Sequence, residues 1–248
     1  MRLLALVPPL FRYVGEEVIR SRIVFIASAL AGIASALVAL AVQSGDTQEG
    51  QGVVLLIGLL MISGPFCRSW LDDDVRLGYG ALWLQKPVRP FDLYGARLVG
   101  LVGWSLAPTL AIGVFFVLAA AIGGRSLSGA CISVASLAWV PVMLIVLNFL
   151  GSGLGARSSG LFAYGMLFAG FALPGFVEAA WLGPLYDLLG ALFPPAVTTV
   201  RIQSLLRQGE VVAGLIEFRP ILTYMMVCAV LGLVTATRVP WRLTRQTG

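Results

Sequence analysis

The chain has 248 residues, of which 58% are hydrophobic and 12% charged, with a mean hydropathy of +0.92. A soluble domain carries about 25% charge, and half of that cannot cover a water-facing surface, so soluble globular and disordered classes are excluded and an integral membrane protein remains. The net charge is +5 and there is no histidine, which removes Ser-His and Cys-His hydrolytic sites and any haem, zinc or copper held by histidine.

At the start, Leu10, Phe11, Val14 and Val18 share one helical face, and Arg12, Glu16 and Arg20 recur at i, i+4 on the other. Glu16 ahead of Arg20 is the favourable order for an ion pair, and Pro8 and Pro9 sit where a helix start tolerates proline. Residues 1–22 are predicted to form an amphipathic helix in the cytoplasmic interface, apolar side in lipid. The apolar run over 23–42 is longer than the about 7–15 residues of a signal-peptide core and reads as a retained span.

A membrane helix needs about 20 mostly apolar residues. Charge-free stretches of 23, 18, 27, 31, 20 and 18 residues lie between Arg22 and Asp46, Glu49 and Arg68, Arg97 and Arg125, Arg125 and Arg157, Arg157 and Glu178, and Arg219 and Arg238. Six spans follow, with both termini on one side. Of the 17 basic residues, all but Arg125, Arg201, Arg207 and Arg219 fall on that side, which the positive-inside rule makes the cytoplasm. The positive balance is therefore a topology signal and gives no footprint for nucleic acid.

The stretch after the second span, residues 68–97, is the longest and most densely charged cytoplasmic segment. A short helix is predicted over 81–84. Pro87 and Pro90 then force a turn, and a helix restarts from Phe91 into the third span. A mere connection does not need about 30 residues with a helical pattern of its own, so the segment is expected to offer a rigid knob to a cytoplasmic partner. Further on, Gly151 and Gly155 form a GxxxG pair inside a GxGxG run. No strand precedes it, so it reads as helix packing and not as a nucleotide loop. A phosphate-binding loop would also need a suitably placed lysine, and the single lysine, Lys86, follows Gln85.

Thr109, Ser133, Ser136, Asn148 and Thr223 are scattered polar groups within spans and read as bonds between helices. Glu178, near the outer end of the fifth span, reads as an interface residue that could also pair with Arg125 or Arg201. The three cysteines, Cys67, Cys131 and Cys228, are too scattered for a disulfide framework. The outer segment, residues 183–219, is too apolar for a solvated loop. Pro194 and Pro195, after Phe193, break any continuous helix there, and Val197, Val200, Leu205 and Leu206 follow at near-helical spacing. A broken helical pair that lines or lids a path is expected, because non-helical backbone at membrane depth is tolerated only against protein or a watery cavity.

In the cytoplasmic segment Asp74 precedes Gly78 by four residues and a leucine-rich helix with Leu84 follows. Pro87 lies nine residues after the glycine, then Val88, and Arg97 closes the element ten residues after the proline. In these positions, and in its amphipathic start, six spans and proline-containing helical segment over 193–209, the chain resembles the ABC-2-type permeases of ATP-binding cassette transporters. Arg76 and Tyr79 depart from that family's usual acid and threonine.

The resemblance implies one all-α transmembrane domain over 1–248, with a coupling helix that meets a separate ATPase subunit, where ATP and magnesium are bound. Two permease copies, identical or homologous, would pair around the path in the lipid bilayer. It further implies that Asp74, Arg76, Gly78, Trp83, Leu84, Lys86, Pro87, Val88, Arg89 and Arg97 serve that contact, and that Phe193, Pro194 and Pro195 gate the exit. The chain itself would hold no cofactor or metal and carry out no catalysis. Sixteen arginines to one lysine point to a GC-rich bacterial genome and say nothing of cargo; with the resemblance, an exporter in the bacterial inner membrane is expected. The alternatives are a permease similar to the haem exporters of cytochrome c maturation, and a non-transporting scaffold that recruits an ATPase.

Overall fold

The computed structural model describes residues 48–67, 89–124, 126–155, 158–172, 192–196 and 198–238, with single positions between 8 and 33. Among them every regular element is helical. The order is α1 (Gln48–Ser63, closed by a 3-10 turn Gly64–Phe66), α2 (Pro90–Ile122), α3 (Leu127–Leu137), α4 (Trp139–Leu154), α5 (Ser159–Ala172), α6 (Thr198–Arg207), α7 (Val211–Ile216) and α8 (Arg219–Ala236). Three stretches are long and apolar enough to cross a membrane: Pro90–Ile122, Leu127–Leu154 and Val211–Ala236. The fifth predicted span is a shorter apolar helix, Ser159–Phe171. In the first predicted span, Ile26, Leu30, Gly32 and Ile33 are helical, and Gly32 faces Ile112 of α2.

The helix boundaries have local causes. Arg89 is extended, at ψ 134°, and Pro90 takes the first helical position of α2, as expected of a residue before proline and of proline at a helix start. Ser126 caps α3 by accepting from the Gly129 amide at 3.2 Å. The fourth predicted span is continuous in composition but breaks at Ala138 between α3 and α4. The cause is Pro141, which has no N–H to offer the Leu137 carbonyl and crowds it with its ring.

Helix α4 is the post of the bundle. It touches α1, α2, α5 and α8, with its most extensive contact along α8. Val140, Met143, Leu144 and Leu147 face the larger cluster with Leu55 and Leu59 of α1, Leu167 of α5 and Ile221 of α8. Ile145 and Phe149 face a second cluster with Phe66, Tyr94, Leu98, Leu101 and Ala236. Val14 of the N-terminal helix belongs to this second cluster, and Gly15 lies against the Trp104 ring. Arg12 and Glu16 sit on the exposed face, 3.2 Å apart. The two-faced helix is present at these positions, but Val14 is covered by protein where lipid was expected. Residues 10, 11, 18 and 20 lie outside the described ones.

The glycine run divides its labour differently from the expected GxxxG pair. Gly151 does pack: a Cβ there would come within 2.7 Å of the Phe162 ring of α5. Gly155 instead ends α4 in the left-handed conformation, φ 83°, where glycine carries no Cβ penalty. The second packing position is Gly153, which faces Thr235 and lies 3.0 Å, Cβ to oxygen, from the Gly232 carbonyl of α8. Gly232 answers from the other side, against Phe149 and the Leu150 amide. Such close backbone approach needs small residues on both helices.

Gly153→Val should therefore push α8 off α4 and lower stability by about 2–4 kcal/mol. Gly165→Ala, inside α5 with nothing within 4 Å of the added carbon, should instead leave stability unchanged or raise it by up to about 1 kcal/mol, because alanine favours the helix. Thermal unfolding of both variants in one detergent measures the difference.

Candidate functional site

The expected partner surface is only partly within view. Asp74, Arg76, Gly78, Trp83, Leu84, Lys86, Pro87 and Val88 lie outside the described residues, as does Glu178. Arg89 is exposed, so it is open to a soluble partner. Arg97 is not: it is 4% exposed, within a fully buried stretch from Tyr94 to Leu98. Because α2 begins at Pro90, Arg97 lies two turns inside a helix, and its guanidinium belongs to the bundle interior rather than to a docking surface. The end of the bundle next to Arg89 also gathers Val14, Phe66 and Ala236, and Gly160 at the start of α5 lies against the Cys67 carbonyl.

The predicted gate is described and lies at the opposite end. Residues 193–196 are non-helical, as the paired prolines require. Pro194 is buried, and Phe193 and Pro195 are half-buried. The Pro194 carbonyl accepts from the Ala196 amide at 2.7 Å and lies against Gly170 near the end of α5. The Pro195 carbonyl accepts from Thr198 Oγ1 at 2.5 Å. Tyr224 of α8 donates to the Leu192 carbonyl at 2.7 Å. The carbonyls of Leu192, Pro194 and Pro195, which make no helical bond in this turn, thus find partners in the turn and on α8, as buried polar groups must.

Beyond the turn, α6 presents Thr199 and Ile202 inward while Val200 is 69% exposed. Of the predicted apolar positions, Leu205 and Leu206 are half-buried and Val200 is exposed, while Val197 lies outside the described residues; the buried stripe runs through Thr199, Ile202 and Leu206. Gln203 Nε2 donates to Ser136 Oγ on α3 at 2.9 Å. Arg201 pairs with Glu217 at 3.2 Å, which ties α6 to the approach of α8. Gly209, at φ 82°, makes the turn into α7. Behind α6, Trp139 stacks on Phe171 with ring centroids 6.4 Å apart.

Most polar groups within the spans do not join helices as expected. Thr109 donates to the Ser105 carbonyl, Ser133 to Gly129 and Ser136 to Ser133, each within its own helix. Ser136 also joins another helix, accepting from Gln203. Asn148 is fully buried on α4, and Thr223 lines an open groove of about 850 Å³ between α4, α5, the 192–195 turn and α8. Sequence reasoning missed this groove, and it missed Gln203 and Tyr224, the two side chains that fasten the outer segment. A glutamine within an otherwise apolar segment was the available signal for the first.

Compared with known proteins, the chain matches no family model, no curated protein and no solved structure.

Gln203→Leu should speed hydrogen exchange of the α6 amides by roughly fivefold, the loss expected for one side-chain bond of about 1 kcal/mol. Exchange in α4 should not change. Arg201→Ala should have the smaller effect, because its pair is largely exposed and such pairs contribute about 1 kcal/mol or less.

Proposed function

We propose that the chain is the membrane-spanning permease subunit of an ABC-2-type transporter, and most simply an exporter, working in a bacterial inner membrane. The observation that carries this reading is the division of the helix bundle into two different ends. At one end are exposed Arg89 and Val14 of the N-terminal helix; in the sequence, Arg89 directly follows the segment 68–88 with its Asp74, Gly78, Leu84 and Pro87 spacing. At the other, a proline-broken turn and two short helices lie over the ends of α3, α5 and α8.

On this reading the first end is cytoplasmic and receives a separate ATPase, which binds ATP and magnesium. Asp74, Arg76, Gly78, Trp83, Leu84, Lys86, Pro87, Val88 and Arg89 form the contact. Arg97, buried one to two turns further on, holds the base of α2 in place. Movement at the contact enters α2 directly at Pro90 and reaches α4 and α8 through the cluster of Tyr94, Leu98, Phe149 and Ala236. The turn at Phe193, Pro194 and Pro195 opens and closes the outer end. A second permease copy, identical or homologous, completes the path.

The experiment is a pull-down of the tagged chain in mild detergent, with identification of what co-purifies. A soluble ATPase should be recovered with the native chain and lost with Pro87→Ala combined with Leu84→Asp, while membrane insertion is unchanged. Repeated recovery of the chain alone in several detergents would overturn the reading. An ATPase that binds but is stimulated by no substrate would instead indicate a scaffold.

A further inference from the structure

The groove beside α8 has the form of an amphiphile site. Its volume is about 850 Å³, in the range of small-molecule sites. Leu150, Met166, Val227 and Leu231 line its body, and Glu217 and Arg219 stand at one end only. The charges at that end do not cancel. Glu217 is engaged by Arg201 at 3.2 Å, while Arg219 is exposed and has no ion pair among the described residues. The Tyr224 hydroxyl is occupied by the Leu192 carbonyl. Among the described residues, this leaves one cation without an ion pair, Arg219, at the mouth of an apolar channel.

The length of the channel identifies what fills it. Arg219 and Leu231 are twelve residues apart on one helix, and at 1.5 Å per residue the channel runs about 18 Å. Half of a hydrocarbon core about 30 Å thick is about 15 Å. Arg219 also stands at the start of the apolar run of α8, the level at which basic side chains meet lipid headgroups. The channel therefore reaches from headgroup depth to the bilayer midplane, as an acyl chain does. It is not covered by the chain's own described residues, since Val227 and Leu231 remain 52% and 49% exposed.

We propose that this groove seats one acyl chain of an anionic phospholipid, with the lipid phosphate at Arg219. A free phosphate would leave the apolar body empty, and a neutral amphiphile would leave Arg219 without a counter-charge. The site needs no transport activity to exist, and its failure would leave the permease reading intact.

The test uses the full chain, delipidated in a non-ionic detergent and titrated with phosphatidylglycerol or phosphatidylcholine, with bound lipid counted by native mass spectrometry. The native chain should prefer phosphatidylglycerol by about fivefold, the contribution of one basic side chain near a lipid surface. Arg219→Gln should abolish the preference and keep the weaker binding. Val227→Trp, which fills the channel, should reduce binding of both lipids, and Thr223→Phe serves the same purpose if the tryptophan variant loses helical signal. Leu161→Trp, at a 74% exposed position on α5, should change neither. Equal binding of the two lipids by the native chain, or equal effects of Val227→Trp and Leu161→Trp, would mean only a general lipid coat and would overturn the proposal. So would a Val227→Trp chain that dissociates from a second copy with its lipid binding unchanged, because the groove would then be a protomer interface.

Discussion

The close approach of α4 and α8 is the contact on which the rest of the bundle depends. Inside a bilayer, apolar side chains gain little by leaving lipid for one another, so helices hold together through van der Waals fit and short backbone approach. Gly153 and Gly232 supply that approach from both sides, against Thr235 on one helix and Phe149 on the other. With α8 seated, α4 is enclosed from Trp139 to Gly153 apart from the half-buried Val142. It can then present different faces to α1, α2 and α5 at once. The two apolar clusters are separate, and α2, α4 and α8 each contribute side chains to both.

This arrangement gives the two ends of the molecule different mechanical character. At the Arg89 end, side chains from the N-terminal helix, α1, α2, α4 and α8 interlock around Phe149. At the other end, the outer segment is fastened by a few identifiable bonds: Gln203 to Ser136, Tyr224 to Leu192, and the exposed Arg201–Glu217 pair. Each is worth about 1 kcal/mol, far less than the interlocked packing opposite.

The sequence made the coarse plan legible because charge and proline act locally. The helix start at Pro90, the break at Pro194 and Pro195, the Arg12–Glu16 face and the packing role of Gly151 all follow from chemistry within a few residues. What escaped depends on partners distant in the chain. Whether Gly153 or Gly155 packs is decided by α8, some eighty residues later. The phase of α6 is set by Ser136 on α3 and not by its own valines, so Ile202 is inside and Val200 outside. Arg97 was expected at the partner contact from the resemblance alone, and its burial depends on neighbours in other helices that the local pattern does not show. The serines and threonines satisfy themselves on their own helices, a choice that spacing alone does not reveal.

The distance in sequence between the two halves of the glycine seam also sets a timetable for biosynthesis. Gly153 and Gly232 are separated by roughly 80 residues, which at about 5–20 residues per second corresponds to roughly 4–16 s of translation. During that interval α4 is already made, with Asn148 and Ser152 along it, but α8 has yet to arrive to cover its glycine face. In that period α4 has α1, α2 and α5 for neighbours. Closure of its glycine face therefore waits for α8, and lipid lying against that face must leave before α8 can dock.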